Sequence, residues 1–247
     1  ITLNPALYHH AKSSGFTDAD IGRLLADHGL RVSDIDPLFN WLPGAVRLEG
    51  DDPIAICTRA AAQEVFDLAH IAGTDLVNAP LGMAMPESEQ QIVDCFANLC
   101  ERAASEDLRV SLEFMPFTAV ADLQTASRIV TRAGMPNGGI MFDCWHHHRS
   151  GGKPEDVLAV PTEQFFALQL DDALAEPLED IVEETLNYRL LPGEGCIDLV
   201  QTLRHLRAAG ASFIYDVEVF KDDLRSHSAA DRAREIFTAS AALLQRV

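Results

Sequence analysis

Residues 109–116 read RVSLEFMP, an apolar run that closes on Glu113 where folding alone would favour another Val or Leu. Three later segments repeat the pattern: GGIMFDCWH (138–146) with Asp143, FFALQLDD (165–172) with Gln169 and SFIYDVEVF (212–220) with Glu218. Burying a carboxylate or an amide costs free energy unless something compensates it. Four such groups at four strand-like ends predict convergence, and convergent oxygens hold a hard cation.

Working outward, RVSDIDP (31–37) and TDLVNAP (74–80) also read as strands, with a fragment at Ile1 to Asn4. Helical patterns fill the gaps at 58–73, 87–106, 120–134, 198–210 and 228–245, several opening near Asp, Ser or Thr or closing at Gly. Strict alternation of helices with strands that are apolar on both faces predicts a parallel sheet covered by helices. Glu113, Asp143 and Gln169 follow one another at roughly one βα unit. In an open sheet such ligands would fan out, whereas a closed sheet aims its strand ends at one point. The expected fold is therefore α/β, a (β/α)8 TIM barrel, built as a single domain over residues 1–247. Six firm strands and one fragment fall short of eight, so the first βα unit is expected upstream of Ile1. The loops 41–53 and 170–195 follow strands and so belong to the face where barrel active sites are built.

Composition bounds the partners. The 247 residues are 47% hydrophobic, enough for one substantial core. Lys and Arg total 19 against 38 Asp and Glu, and the net charge of -19 repels phosphate backbones and anionic membranes. Nucleic acid and membrane are excluded as expected partners, while homo-oligomerisation stays open. The five cysteines form neither a CxxC pair nor a zinc-type set, and no apolar stretch approaches the ~20 residues of a membrane span. A reducing, cytoplasmic setting is the expectation.

Three carboxylates and one amide oxygen form a donor set for Mg, Mn or Co, with Zn less favoured because no thiolate or evident His ligand accompanies them. Asp143 and His146 make a D-x-x-H element, and His146 is placed to give a hydrogen bond or proton to substrate. His147 and His148 read as spectators. Arg189, in NYRLLPGEG, offers a fixed fork of donors for a substrate hydroxyl, carboxylate or phosphate, its structural alternative being a salt bridge to Glu194 or the acidic loop. Phe39 and Trp41 wall a pocket or anchor a loop, and Asn78 adds a polar contact.

The segments LEFMPF, FDCWH, LQLDD, RLLPGEG and VEVF, in this order, resemble the xylose isomerase-like TIM-barrel superfamily, the sugar phosphate isomerase/epimerase group. The resemblance covers roughly residues 30–245. It implies that Glu113, Asp143, the residue at 169 and Glu218 ligate one divalent cation and that His146 contacts substrate. Sugar epimerases of the group usually carry His at the position of Gln169; Gln is similar instead to the metal-dependent dehydroshikimate dehydratases. The expected enzyme is a divalent-metal-dependent isomerase or epimerase that moves a proton α to a carbonyl on a small keto-sugar or polyol-derived substrate. Glu113 and Glu218 are the candidate bases, with His146 as third catalytic residue. The alternative is a metal-dependent lyase that dehydrates a dehydroshikimate- or inosose-like ring. Less favoured are a catalytically silent barrel subunit, which would have lost ligands, and an AP endonuclease-like protein, which needs a basic groove.

Overall fold

The computed structural model describes residues 1–247. Its strands are β1 (Leu76–Pro80), β2 (Arg109–Glu113), β3 (Gly138–Asp143), β4 (Phe165–Leu170) and β5 (Ile214–Val217), and they follow one another through the sheet in chain order. Two compact units emerge: Ile1–Glu113 with Arg128–Ile140, and Phe114–Ser127 with Met141–Val247.

In the first unit β1 and β2 run parallel, with Leu76 opposite Arg109 and Pro80 opposite Glu113. Both are almost wholly buried, which suits strands apolar on two faces. The run at 31–37 contributes less than a ladder strand. Ile35 alone bridges, to Leu3 on one side and Val77 on the other, both parallel, and Pro37 has no N–H to extend the pairing. The Ile1 to Asn4 fragment is likewise reduced to Leu3. The helical pattern at 58–73 divides into Pro53–Arg59 and Ala62–Ala72, because Ala60 and Ala61 are extended. Arg59 is tied there to the carbonyls of Leu48 and Gly50, and the Thr58 hydroxyl accepts the Leu48 N–H. Two helices without an expected counterpart, Pro5–Ser13 and Asp18–Asp27, open under Asn4 and Thr17 caps. Ser88 caps Glu89–Ala104, whose Ile92, Val93, Phe96, Leu99 and Cys100 stripe faces inward at helical spacing.

In the second unit β4 and β5 pair in parallel, Gln169 opposite Asp216 and Leu170 opposite Val217. Here the strand runs end earlier than their apolar pattern. A helix Cys144–Arg149 begins directly after Asp143, and β5 stops at Val217, leaving Glu218 one residue beyond it. The long loop after β4 holds a helix of its own, Ile181–Asn187, whose Asp180 cap accepts the N–H groups of Val182 and Glu183. Helices Leu199–Ala208 and Ala229–Leu244 stand where the periodicity put them. No helix is long and apolar enough to cross a membrane, and all five cysteines are free thiols.

Gly138 enters β3 against the helix Glu89–Ala104, where an added Cβ would lie 3.0 Å from the Phe96 ring and 3.1 Å from Cys100 Sγ. Gly138→Val is expected to destabilise the protein by about 1–3 kcal/mol through overpacking. A urea unfolding midpoint equal to the wild type's would contradict that reading of the contact.

Candidate active site

Within the first unit, the end of β2 is organised by one amide. Asn78, fully buried on β1, donates through Nδ2 to Glu113 Oε2 at 2.7 Å and to Asp36 Oδ1 at 3.0 Å, while its Oδ1 accepts from Ser111 Oγ at 3.0 Å. Asn78 therefore holds Glu113 in place. Trp41 donates its Nε1–H to the Pro80 carbonyl at 2.9 Å and meets the Phe96 ring edge-on at 6.1 Å. Phe39 lies against Gly82, whose positive φ of 59° and close ring contact both require glycine. Both aromatics thus anchor the loop after Ile35.

The second unit holds a denser constellation. Asp143 caps the helix Cys144–Arg149, its Oδ1 accepting the His146 N–H at 2.6 Å. That single turn explains the D-x-x-H spacing: the His146 Nε2 comes to 3.9 Å from Asp143 Oδ2. Arg189, 2% exposed, directs Nη1 at three carboxylates, Asp171 Oδ2 at 2.5 Å, Asp143 Oδ2 at 2.7 Å and Glu218 Oε2 at 3.1 Å. Its Nη2 meets His146 Nε2 at 3.2 Å and donates to Thr185 Oγ1 at 2.8 Å, and Nε donates to Thr185 as well. The guanidinium stacks by Trp145 and Phe220, 5.3 and 5.4 Å from their ring centroids. Arg189 is bound to Asp143, Asp171 and Glu218, and Glu194 pairs with Lys221 instead.

Burial and charge sort these groups. Burial alone would raise the Asp143 carboxyl, but the charge of Arg189 and the hydrogen bond from the His146 backbone N–H bring it below the usual range. Asp171 goes the other way, pushed well up by burial and by the neighbouring Asp143. Burial pulls His146 down to about 3, so its imidazole is neutral and its Nε2 accepts from Arg189. His147 is fastened to the Lys153 carbonyl at 2.9 Å and packs on Phe142. It is structural.

Two residues escaped the reading of the sequence, Asp171 and Asp172, although both follow Gln169 in the same quoted run. Asp172 is fully buried and accepts four N–H groups, from Ala173, Gly193, Gly195 and Ile197, at 2.9–3.0 Å. It ties down the PGEG loop, and any side chain at Gly195 would strike Asp172 and the Ala173 carbonyl. Gln169 is fully buried in β4. Asp143 and Glu218 carry the carboxylate oxygens that suit a hard cation, and in this structure both turn to Arg189 Nη1.

The family model of the xylose isomerase-like TIM barrel matches residues 4–244. The chain belongs to that family. It is 30% identical over 210 residues to a 3-dehydroshikimate dehydratase of Pseudomonas aeruginosa, covering 84% of this chain and 32% of the relative. It is 29% identical over 167 residues to an inosose isomerase of Halalkalibacterium halodurans, covering 63% of this chain and 58% of the relative. The chain thus spans about a third of the first relative's length and under two thirds of the second's. Among solved structures, a zinc-bound IolI protein superimposes with a TM-score of 0.83 at 20% identity, over 100% of this chain and 88% of that one. The five parallel strands are accordingly strands of a TIM-barrel fold.

Two outcomes follow from the Arg189 cluster. Arg189→Met should cost about 3–5 kcal/mol, because it leaves buried carboxylates without their cation; chemical denaturation would show it as a lowered midpoint. His146, depressed from 6.5 to about 3, takes a proton in the unfolded chain but not in the folded one between those values. Its contribution is complete above pH 6.5 and is lost as pH falls, at up to about 1.4 kcal/mol per pH unit. Denaturation at pH 7 and pH 5 should show a smaller loss for His146→Asn than for the wild type, and equal losses would refute the assignment.

Proposed function

We propose that the chain is a divalent-metal-dependent enzyme that moves a proton α to a carbonyl on a polyhydroxylated ketone, with isomerisation or epimerisation as the outcome. The observation that carries this reading is the turning of Asp143 and Glu218 oxygens onto one cationic nitrogen, in a family whose relatives include an isomerase and a dehydratase of such ketones. Glu113, Asp143, Gln169 and Glu218 are the proposed ligands, each at or just beyond a strand's C-terminal end. Mn, Mg or Co suits these oxygens, and the zinc in the IolI structure keeps that metal in consideration.

A cation held there supplies Lewis acidity that makes an α-proton removable at neutral pH. The residues do the rest. Glu218, 24% exposed at its side chain, is the most accessible base of the set, and Glu113 is the second, its orientation fixed by Asn78. The neutral His146 contacts a substrate oxygen, and Arg189 binds a hydroxyl or carboxylate through its fork. Return of the proton to the former carbonyl carbon gives an isomer, and return to the opposite face of the original carbon gives an epimer.

A second reading, loss of a β-hydroxyl as water to give an enone, is favoured by Gln169 and by the dehydratase matched over 84% of this chain. Both named relatives act on six-membered ring ketones. A cyclic polyhydroxy ketone is therefore the substrate class of choice. Manganese-loaded protein incubated in deuterium oxide with an inosose, a ketohexose and 3-dehydroshikimate should incorporate deuterium α to one carbonyl. Glu218→Gln should slow that exchange at least about a hundredfold, and a chelator should abolish it. A rising enone or catechol absorbance with 3-dehydroshikimate selects the lyase; no exchange with any of the three removes the proposal.

A further inference from the structure

Three carboxylates share Arg189 Nη1, yet only Asp143 and Glu218 belong to the proposed ligand set. Asp171 makes the shortest of the three contacts, 2.5 Å, and its other oxygen accepts the Trp145 N–H at 2.8 Å. It is fully buried. Trp145 in turn presents its ring to the guanidinium, so Asp171 fixes both the arginine and the surface on which it stacks. A divalent cation held by Asp143 and Glu218 would take two of the three carboxylates that now pair with Arg189. What remains to hold it is Asp171, with Thr185 at Nε and Nη2.

We propose that Asp171 is a positioning residue for Arg189, and not a ligand of the cation, which rests on the function proposed above. With Asp143 and Glu218 given to a cation, Asp171 would keep Arg189 in place while Nη1, now shared among three carboxylates, became available to substrate. Asp171 serves the guanidinium; Asp143 and Glu218 serve the metal. The same division explains why a third buried acid is needed at all, since neither the ligand set nor the proton transfer uses it.

Asp171→Asn keeps the shape and an oxygen for the Trp145 N–H but removes the charge, whereas Asp143→Asn removes a proposed ligand. Calorimetric titration with Mn2+ should leave Asp171→Asn with stoichiometric binding within about tenfold of the wild type, and Asp143→Asn weakened at least about a hundredfold. With the ring ketone that is turned over, Asp171→Asn should raise KM about tenfold and change kcat by less than about threefold. A readout that needs neither metal nor substrate comes from Trp145, the sole tryptophan in a Trp41→Phe background. Its emission should change in Asp171→Asn as the guanidinium leaves the ring. An Asp171→Asn protein that loses Mn2+ as Asp143→Asn does, or one with an unchanged Trp145 spectrum and KM, overturns the inference. If instead wild type and Asp143→Asn bind Mn2+ equally or not at all while the spectral change is present, the metal reading fails and the positioning role stands.

Discussion

A guanidinium shut away from water among three carboxylates is the constraint around which the second unit is built. Three acids at hydrogen-bonding distance from one point would repel one another and pull their pKa values up until some took protons. Arg189 makes their gathering tolerable, and its own charge is tolerable only because they surround it. Such an arrangement contributes little net stability compared with an apolar core, yet breaking it is costly. Its value is positional. Thr185 from the helix Ile181–Asn187, Trp145 and His146 from the turn after β3, Asp171 after β4, and Glu218 and Phe220 after β5 are each brought to the same side chain.

The loops inherit that order. Asp172 satisfies four backbone N–H groups of the 173–197 stretch, with no room for a Cβ at Gly195, whereas Gly193 is set by its positive φ of 91°. Adjacent residues of one short run therefore divide the labour. Gln169 is buried within β4, Asp171 serves the arginine, and Asp172 serves the loop.

Much of this was legible in the sequence, and what was not has definite physical causes. Alternating βα periodicity located β1 to β5 and five helical patterns, and the polar residue at each strand end survived as a buried or half-buried group. The run at 31–37 pairs in parallel on both sides through Ser33, Ile35 and Asp36, but centres on the single bridging residue Ile35, and Leu38 rather than Pro37 supplies the next N–H. The helices Pro5–Ser13 and Asp18–Asp27 were missed in segments with weak apolar stripes but good Asn and Thr caps. Asp171 and Asp172 were passed over because two acids after a strand read as a solvated turn; nothing local announces that one will meet an arginine 18 residues away. Arg189 was read as a substrate binder with a salt bridge to Glu194 or the acidic loop as its alternative, and tertiary packing gave it Asp143, Asp171 and Glu218 as partners.

Gln169 bears on what kind of site this is. An imidazole ligand must be neutral to bind a cation and so competes with protons as pH falls toward its pKa. An amide has no such competition. In the ligand set proposed above Gln169 would add no group that titrates near neutrality, and burial pulls the nearby His146 down to about 3. The burden of proton chemistry then falls on carboxylates, and of these Glu218 is the one with both solvent access and a cationic neighbour. In the proposed reaction the two outcomes share the removal of an α-proton: isomerisation returns a proton to carbon, whereas dehydration expels a β-hydroxyl as water. The branch point on this proposal comes after the shared proton removal, where Gln169 and the dehydratase relative favour loss of water and the inosose isomerase relative favours return of the proton.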